Sequence, residues 1–328
     1  MKNNDLICTI GGGTGMPIIN RSLIKAGFIN IKSIVTTFDS GGDTGRIRTD
    51  ERGKVLAFSD YWRALISLWS DGRQKQVWGE VLRFRDGRGR NFGNSFFQFL
   101  AEKAKNITDV EKLFKDLTGA DLRGEVIPVS LEPAELCFET ESNKKYNGEH
   151  HLDDMRMSFD RVKRIWLSKK VTTNPEALSA IGGAKLIIFC PGSMYGSVII
   201  NLLPLGMKEK LEKTKAVKLL MTNIMSVANE NRLFSQIEYS KTFKKYIGSD
   251  FDLVLMPDFS KLDQKILKNV FKSYSLEHSR PIRYKENGIK NVLIEDIAVI
   301  DKKYLRIRHS EVKMANFFAR MDLCLKKR

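Results

Sequence analysis

No apolar run in this sequence approaches the roughly 20 residues that a membrane-spanning helix needs. Behind the opening Met-Lys-Asn-Asn-Asp only a five-residue apolar run follows, too short for a secretory leader. Cysteine is scarce: Cys8, Cys137, Cys190 and Cys324 are scattered, three of them inside apolar runs. That pattern excludes a disulfide scaffold and reads as buried, reduced thiols. The four histidines, His150, His151, His278 and His309, have no metal-ligand spacing to those cysteines, and the adjacent pair reads as incidental loop residues. No aromatic-basic motif of an RNA-recognition or zinc-finger module is present, and no Gly-Lys-Ser/Thr closes a Walker loop. Together these absences predict a cytoplasmic protein with no membrane span and with nucleic acid as a weak candidate partner.

What is abundant is positive charge: 55 Lys and Arg against 39 Asp and Glu, a net +16. Such an excess suits acidic partners, nucleotides among them, although its spread along the chain fits lysines on solvated helix faces. An apolar content of 42% over 328 residues is ample for a core, and the length suits one large α/β domain or two smaller ones.

The chain is organised around Leu6 to Gly27. Leu6-Ile-Cys-Thr-Ile10 predicts a strand, and Gly11, Gly12, Gly13, Thr14 and Gly15 come at once after it, where the backbone can turn tightly. A helix is expected from about Met16, with Pro17 in its first turn and Gly27 as its stop. A helix N-terminus next to bare backbone is suited to a phosphate, and an unliganded strand-to-helix turn is the plain alternative. The alternating glycines do not match the dinucleotide fingerprint, which disfavours an NAD-dependent oxidoreductase.

A second strand, Ile31 to Phe38, feeds the loop Asp39-Ser-Gly-Gly-Asp-Thr-Gly-Arg-Ile-Arg48. In an open parallel sheet this is a ligand-binding edge. Asp39 stands where a ribose acid would be, Gly41, Gly42 and Gly45 clear space, and Arg46 and Arg48 offer charge to a diphosphate. Residues 53 to 118 read as helical, interrupted by a basic connector from Arg73 to Arg90 with Trp78 and Phe84. Asp60 and Arg63 share a helix face, as a surface ion pair or as site residues. Asn91, Gly93 and Asn94 open a helix from Ser95 to Lys105, the asparagines either capping it or reading a ligand base or sugar.

Between Glu125 and Leu167 the period changes to two, predicting three antiparallel strands in a side sheet. The parallel sheet then resumes at Ala184-Lys-Leu-Ile-Ile-Phe-Cys190, succeeded by Pro191-Gly192-Ser193-Met-Tyr195-Gly196-Ser197 and a helix, a second candidate phosphate turn. Further strands are expected at Lys215–Met221, whose end carries Asn223, at Phe251–Met256 and at Asn291–Ile300, with a last helix from Glu311 to Leu325. The expectation is one α/β domain over 1–328, a Rossmann-like, doubly wound, mostly parallel sheet. Its core would be about 1–58 and 175–328, with a helical and antiparallel β insertion at about 59–174.

With these segments the chain resembles the gluconeogenesis factor family, which is related to 2-phospho-L-lactate transferase (CofD-like). The resemblance rests on Gly11-Gly-Gly-Thr-Gly15, Asp39 to Arg48, Asp60-Tyr-Trp-Arg-Ala-Leu65, Phe92-Gly-Asn94, Pro191-Gly-Ser-Met-Tyr195, Asn201-Leu-Leu-Pro204, Thr222-Asn-Ile-Met225 and the Arg308-His309 stretch. It implies a pocket for a nucleotide-diphosphate ligand, a UDP-sugar in the gluconeogenesis factors, with roles in carbon metabolism and cell-wall growth. In the transferase the fold moves a phospholactyl group with magnesium, for which Asp39 would be the ligand here. Self-association and a regulatory protein partner are both compatible with it. The chain departs from the family pattern at Ser40, where a second acid is usual, at Arg90, where histidine is usual, and at Val227-Ala-Asn-Glu230, which keeps only the acid of Gln-Pro-Gly-Glu.

Overall fold

The computed structural model describes residues 2–38, 40, 56–104, 106, 108–286 and 291–326. Strands β1 (Ile7–Gly11), β2 (Ile31–Val35) and β3 (Gly124–Pro128) come first. Next are β4 (Leu136–Thr140), β5 (Lys145–Asn147) and β6 (Val162–Leu167), a three-stranded antiparallel side sheet with β4 in the middle. Then β7 (Leu186–Phe189), β8 (Val217–Met221), β9 (Leu253–Pro257) and β10 (Val292–Glu295) resume the main sheet. A hairpin of β11 (Ala298–Asp301) and β12 (Arg306–His309) completes the strands. The seven main strands are all parallel, in the order β10-β9-β8-β7-β1-β2-β3.

Both faces of this sheet are covered, which is why its strands are near-continuous apolar runs rather than alternating ones. Ile10, Ile34, Ile187, Phe189, Leu220 and Val254 pack to one side, with the helices Pro175–Gly183 and Gln236–Ile247 and with Phe138 of the side sheet. Their neighbours Ile7, Ile31, Val35, Leu186, Ile188, Leu219 and Leu255 pack to the other. That second face is covered by the helices Gly15–Lys25, Ser59–Leu68 and Glu311–Lys326. Each fully buried Leu, Ile or Phe on these faces contributes roughly 1.5–3 kcal/mol.

The helix Gly15–Lys25 is set in rotation by a buried polar knot. The Thr9 hydroxyl donates to Asn20 Oδ1 (3.0 Å) and lies 2.9 Å from Ser33 Oγ, while Asn20 Nδ2 donates to Ser33 Oγ and Ser67 Oγ, both at 2.9 Å. Four buried polar groups on β1, β2 and two helices thus bond to one another, and turning any one breaks a buried hydrogen bond of another. On its outer side the same helix is clasped by Glu311, which takes Arg21 (2.8 Å) and Lys25 (3.2 Å).

Three sequence expectations are corrected. The period of two assigns Val126–Leu131 to the side sheet, but β3 pairs in parallel with β2 and closes the main sheet, so the stretch 59–174 contains a strand of the core. Arg73–Arg83 is a helix rather than a connector. Its Trp78 packs on Phe96 at 5.8 Å, while Phe84 is exposed. Asn291–Ile300 divides into β10 and β11, with Ile297 buried at the break.

Candidate functional site

The sheet order reverses between β1 and β7. At a reversal the loops leaving two adjacent strand ends part, and the gap outside those carboxyl ends is where open parallel sheets hold ligands. The glycine turn after β1 and the Pro191–Ser193 turn after β7 meet there, as expected. A Cβ on Gly15 would stand 1.8 Å from the Pro191 carbonyl oxygen, so glycine is required for backbone to pass backbone. Asn201 Nδ2 ties the two turns, donating to the carbonyls of Gly11 (3.3 Å) and Ser197 (2.8 Å).

The first turn is anchored by Asp60, from the helix Ser59–Leu68. Its Oδ1 accepts the Gly13 N–H at 2.9 Å, and Gly12 is packed so close that a Cβ there would lie 1.9 Å from Oδ2. Gly13 itself sits at φ 60°, in the region glycine favours. Arg63 lies 3.5 Å from Asp60 Oδ1 with its guanidinium over Trp62, 5.5 Å from the ring centre. Beyond Gly13 the helix Gly15–Lys25 starts without a side-chain cap from Thr14, and Thr14, Gly15 and Ile18 line a cleft. A helix start without such a cap presents N–H groups and a positive dipole end to whatever occupies that space.

The second turn is closed by its own protein. Gly192 N–H donates to Asn223 Oδ1 (3.0 Å) and Asn223 Nδ2 donates back to the Gly192 carbonyl (2.7 Å). Met194 N–H donates to Glu230 Oε2 and the Ser193 hydroxyl to Glu230 Oε1, both at 2.7 Å, while Gly196 N–H donates to Ser193 Oγ (3.0 Å). Burial drives the Glu230 carboxyl above the usual carboxylate range, against those two hydrogen bonds. The acid that survives in Val227-Ala-Asn-Glu230 therefore plays a structural part, filling the amide position that the sequence offers to an anion. Beyond the turn the chain forms a wide helical turn, Met194–Val198, and a 3-10 turn, Ile199–Leu202, rather than the expected regular helix. Tyr195 is buried, its hydroxyl turned toward the Val162 carbonyl (3.5 Å), and it lies outside this cleft.

The cleft holds about 600 Å³, within the range of small-molecule sites. The two turns form one wall, and Asp153, Arg156, Arg308 and His309 stand among the groups around it. His309 Nε2 is buried with no hydrogen-bond partner among the described residues, and burial pushes the imidazole down to about 4, so the ring is neutral near pH 7. His309 thus contributes to the cleft wall, while its Nε2 is a buried polar atom left unsatisfied by the described residues. Sequence reasoning meets His309 only as the tail of a family-like stretch. Its placement depends on the β11–β12 hairpin folding back to the cleft, for which no local pattern exists.

A second cleft of about 460 Å³ lies on the other side of Thr14 and Ile18, lined by Arg21, Arg63, Arg83, Arg85 and Asn91. Here too the asparagines are framework. Asn91 Oδ1 caps the helix Phe92–Lys103 by accepting the Asn94 N–H, its Nδ2 donates to the Leu82 carbonyl, and Asn94 Oδ1 accepts from the Trp62 indole. Gly93 is wedged against the Leu82 carbonyl, 2.6 Å from where a Cβ would be. Asp39, Gly41, Gly42 and Arg46, with Asp39 the expected magnesium ligand, lie outside the described residues, as do Asp43, Gly45 and Arg48. Cys8, Cys137 and Cys190 are unpaired and buried, as expected, and burial raises all three thiols. Among the described residues no helix is long and apolar enough to cross a membrane.

Comparison with known proteins agrees with this architecture. A family model described as 2-phospho-L-lactate transferase CofD matches residues 7–304. The gluconeogenesis factor of Bacillus subtilis is 28% identical over 96% of this chain and 98% of its own. That of Listeria monocytogenes is 30% identical over 75% of this chain and 74% of its own. The crystal structure of a Bacillus halodurans protein, 23% identical, shares the fold with a TM-score of 0.83 over 95% of this chain and 98% of that one. A match that runs from the first strand through β11, beside relatives aligned over most of their length, means that this chain belongs to the CofD family, among the gluconeogenesis factors.

Proposed function

We propose that the cleft at the strand-order reversal binds a nucleotide-sugar of the UDP type, or a similar nucleotide diphosphate. In this reading the protein is a cytoplasmic regulator linking carbon metabolism to cell-wall growth. The supporting observation is the pairing, in one cleft of about 600 Å³, of the start of the helix Gly15–Lys25, which has no side-chain cap, with the unpartnered His309 Nε2. The diphosphate lies at Thr14 and Gly15, where backbone N–H groups and the dipole favour negative charge. Arg46, in the sequence that follows β2, supplies a charge-assisted bond. His309, kept neutral, reads a polar group of the sugar or base. The second turn serves as a wall, since Asn223 and Glu230 already hold its amides.

Calorimetry against UDP-sugars, NAD and guanosine nucleotides, with and without magnesium, tests this reading. UDP-sugar binding without turnover is the expected result; magnesium-dependent consumption of a nucleotide donor would instead make the chain a transferase of the family's other kind. Arg46→Ala is expected to weaken diphosphate binding by about 1.5–3 kcal/mol with the fold intact. Equal affinity in that variant would remove Arg46 from the site.

A further inference from the structure

The stretch Glu141 to Asp154, in which the sequence shows no evident chemistry, folds so that its two histidines face a carboxylate. His150, His151 and Asp154 lie on the short helix His150–Asp154 and offer ligand atoms all within 4.8 Å of one another. One edge of that triangle is already at coordination distance: His151 Nδ1 and Asp154 Oδ2 are 3.4 Å apart. A tetrahedral ion with bonds of about 2.0–2.1 Å places its ligands about 3.3 Å from each other, so only His150 has to close in.

Both rings are seated by other groups. Ser40 Oγ lies 3.4 Å from His150 Nδ1 and also accepts the Glu149 N–H at 2.8 Å, linking this helix to the segment after β2. Gly148 lets the His150 ring lie flat on the backbone, since a Cβ there would meet Cε1 at 2.5 Å. His151 rests on Tyr146, ring centres 5.3 Å apart, and Tyr146 is in turn stacked on Phe138 of the side sheet at 4.9 Å. A partner on one ring nitrogen that leaves the other facing a metal is the usual outer-shell arrangement.

We infer that His150, His151 and Asp154 form a binding site for a divalent transition metal, Zn²⁺ in the first instance. Two imidazoles and one carboxylate suit zinc, while magnesium and calcium take oxygen ligands. Three protein ligands leave a fourth position for water, and the exposure of Asp154 keeps the ion accessible. The site stands apart from the nucleotide cleft in chemistry but not in construction, because Leu152, Asp153 and Arg156 on the same segment line that cleft. A bound ion would therefore fix one of its walls.

The test uses the untagged, full-length protein, stripped with a chelator and titrated with Zn²⁺ by calorimetry, with Co²⁺ absorption as a report of coordination number. One Zn²⁺ per chain is expected. His151→Ala and Asp154→Asn should each weaken it by at least about tenfold, while His278→Ala leaves it unchanged and circular dichroism shows all three folded. Asp154 is on the surface, so its variant keeps the test valid if the histidine variant does not fold. Failure of stoichiometric binding, or binding that neither substitution alters, would overturn the assignment. The outcome is independent of whether any nucleotide binds.

Discussion

After β1 the turn spends one amide, Gly13, on Asp60 and starts its helix with no side-chain cap. After β7 the turn gives Gly192, Met194 and Gly196 to Asn223, Glu230 and Ser193. Both are small-residue turns at adjacent carboxyl ends of the same sheet, and from sequence they read as equivalent anion cradles. The difference lies in where the counter-charge comes from. The second turn carries its own buried carboxylate, so it is complete without a ligand; the first faces a cleft with a dipole end and no side-chain cap. Open helix-start geometry thus stands on one side of the junction, and a turn closed by its own side chains on the other.

The largest expected effect comes from forcing the two turns apart. Gly15→Ala drives a Cβ into the Pro191 carbonyl, and overpacking against backbone should cost about 3 kcal/mol in urea unfolding and abolish ligand binding. A variant as stable as the parent would mean that the turns are not in contact in solution. Next in size is Glu230→Ala, which strands the buried Met194 N–H and should cost about 2 kcal/mol, with ligand affinity falling less than in Gly15→Ala. If Glu230→Ala instead binds an anion more tightly than the parent, the second turn is a latent cradle after all. His309→Phe sharpens the contrast from the cleft's other wall. Removing an unpartnered nitrogen should leave stability unchanged or raised by about 1 kcal/mol, while nucleotide-sugar affinity drops at least about tenfold.

The smallest effect is on pH dependence. His309 is pushed in the fold from 6.5 to about 4, so between those values the unfolded chain binds the extra proton and stability is lost as pH falls. Glu230, raised by burial, works with the opposite sign: its contribution declines as pH rises above the ordinary 4.5. Thermal midpoints from pH 7 down to 5 should fall in the parent and flatten in His309→Phe. Parallel profiles would show that His309 is not buried in the folded protein.

Local pattern carried most of the fold. Apolar runs placed β1, β2, β7, β8 and β9 within a few residues, because strands covered on both faces have a simple signature. What failed was partner choice. β3 looks like the side-sheet strands that come after it, and only its pairing with β2 assigns it to the main sheet. The turn after β1 was legible where it depended on glycine, at Gly12 and Gly15, whose close approaches leave no room for a side chain, and at Gly13, with its positive φ. It stayed open where an amide side chain was involved: cap and ligand contact read alike at Asn91 and Asn94, and these two with Asn223 spend polar atoms on backbone or indole partners, two of them distant in sequence. His309 and the pair His150 and His151 acquire meaning only through folded neighbours.

The clasp of Glu311 on Arg21 and Lys25 makes the last helix a splint along the back of the helix whose front end lines the cleft. Roughly one side of that element is thus held by a residue 290 positions from Arg21, through a partly buried, salt-sensitive link. A fusion attached to the carboxyl end, or a partner that grips it, pulls on a lever whose far tip is the glycine turn after β1.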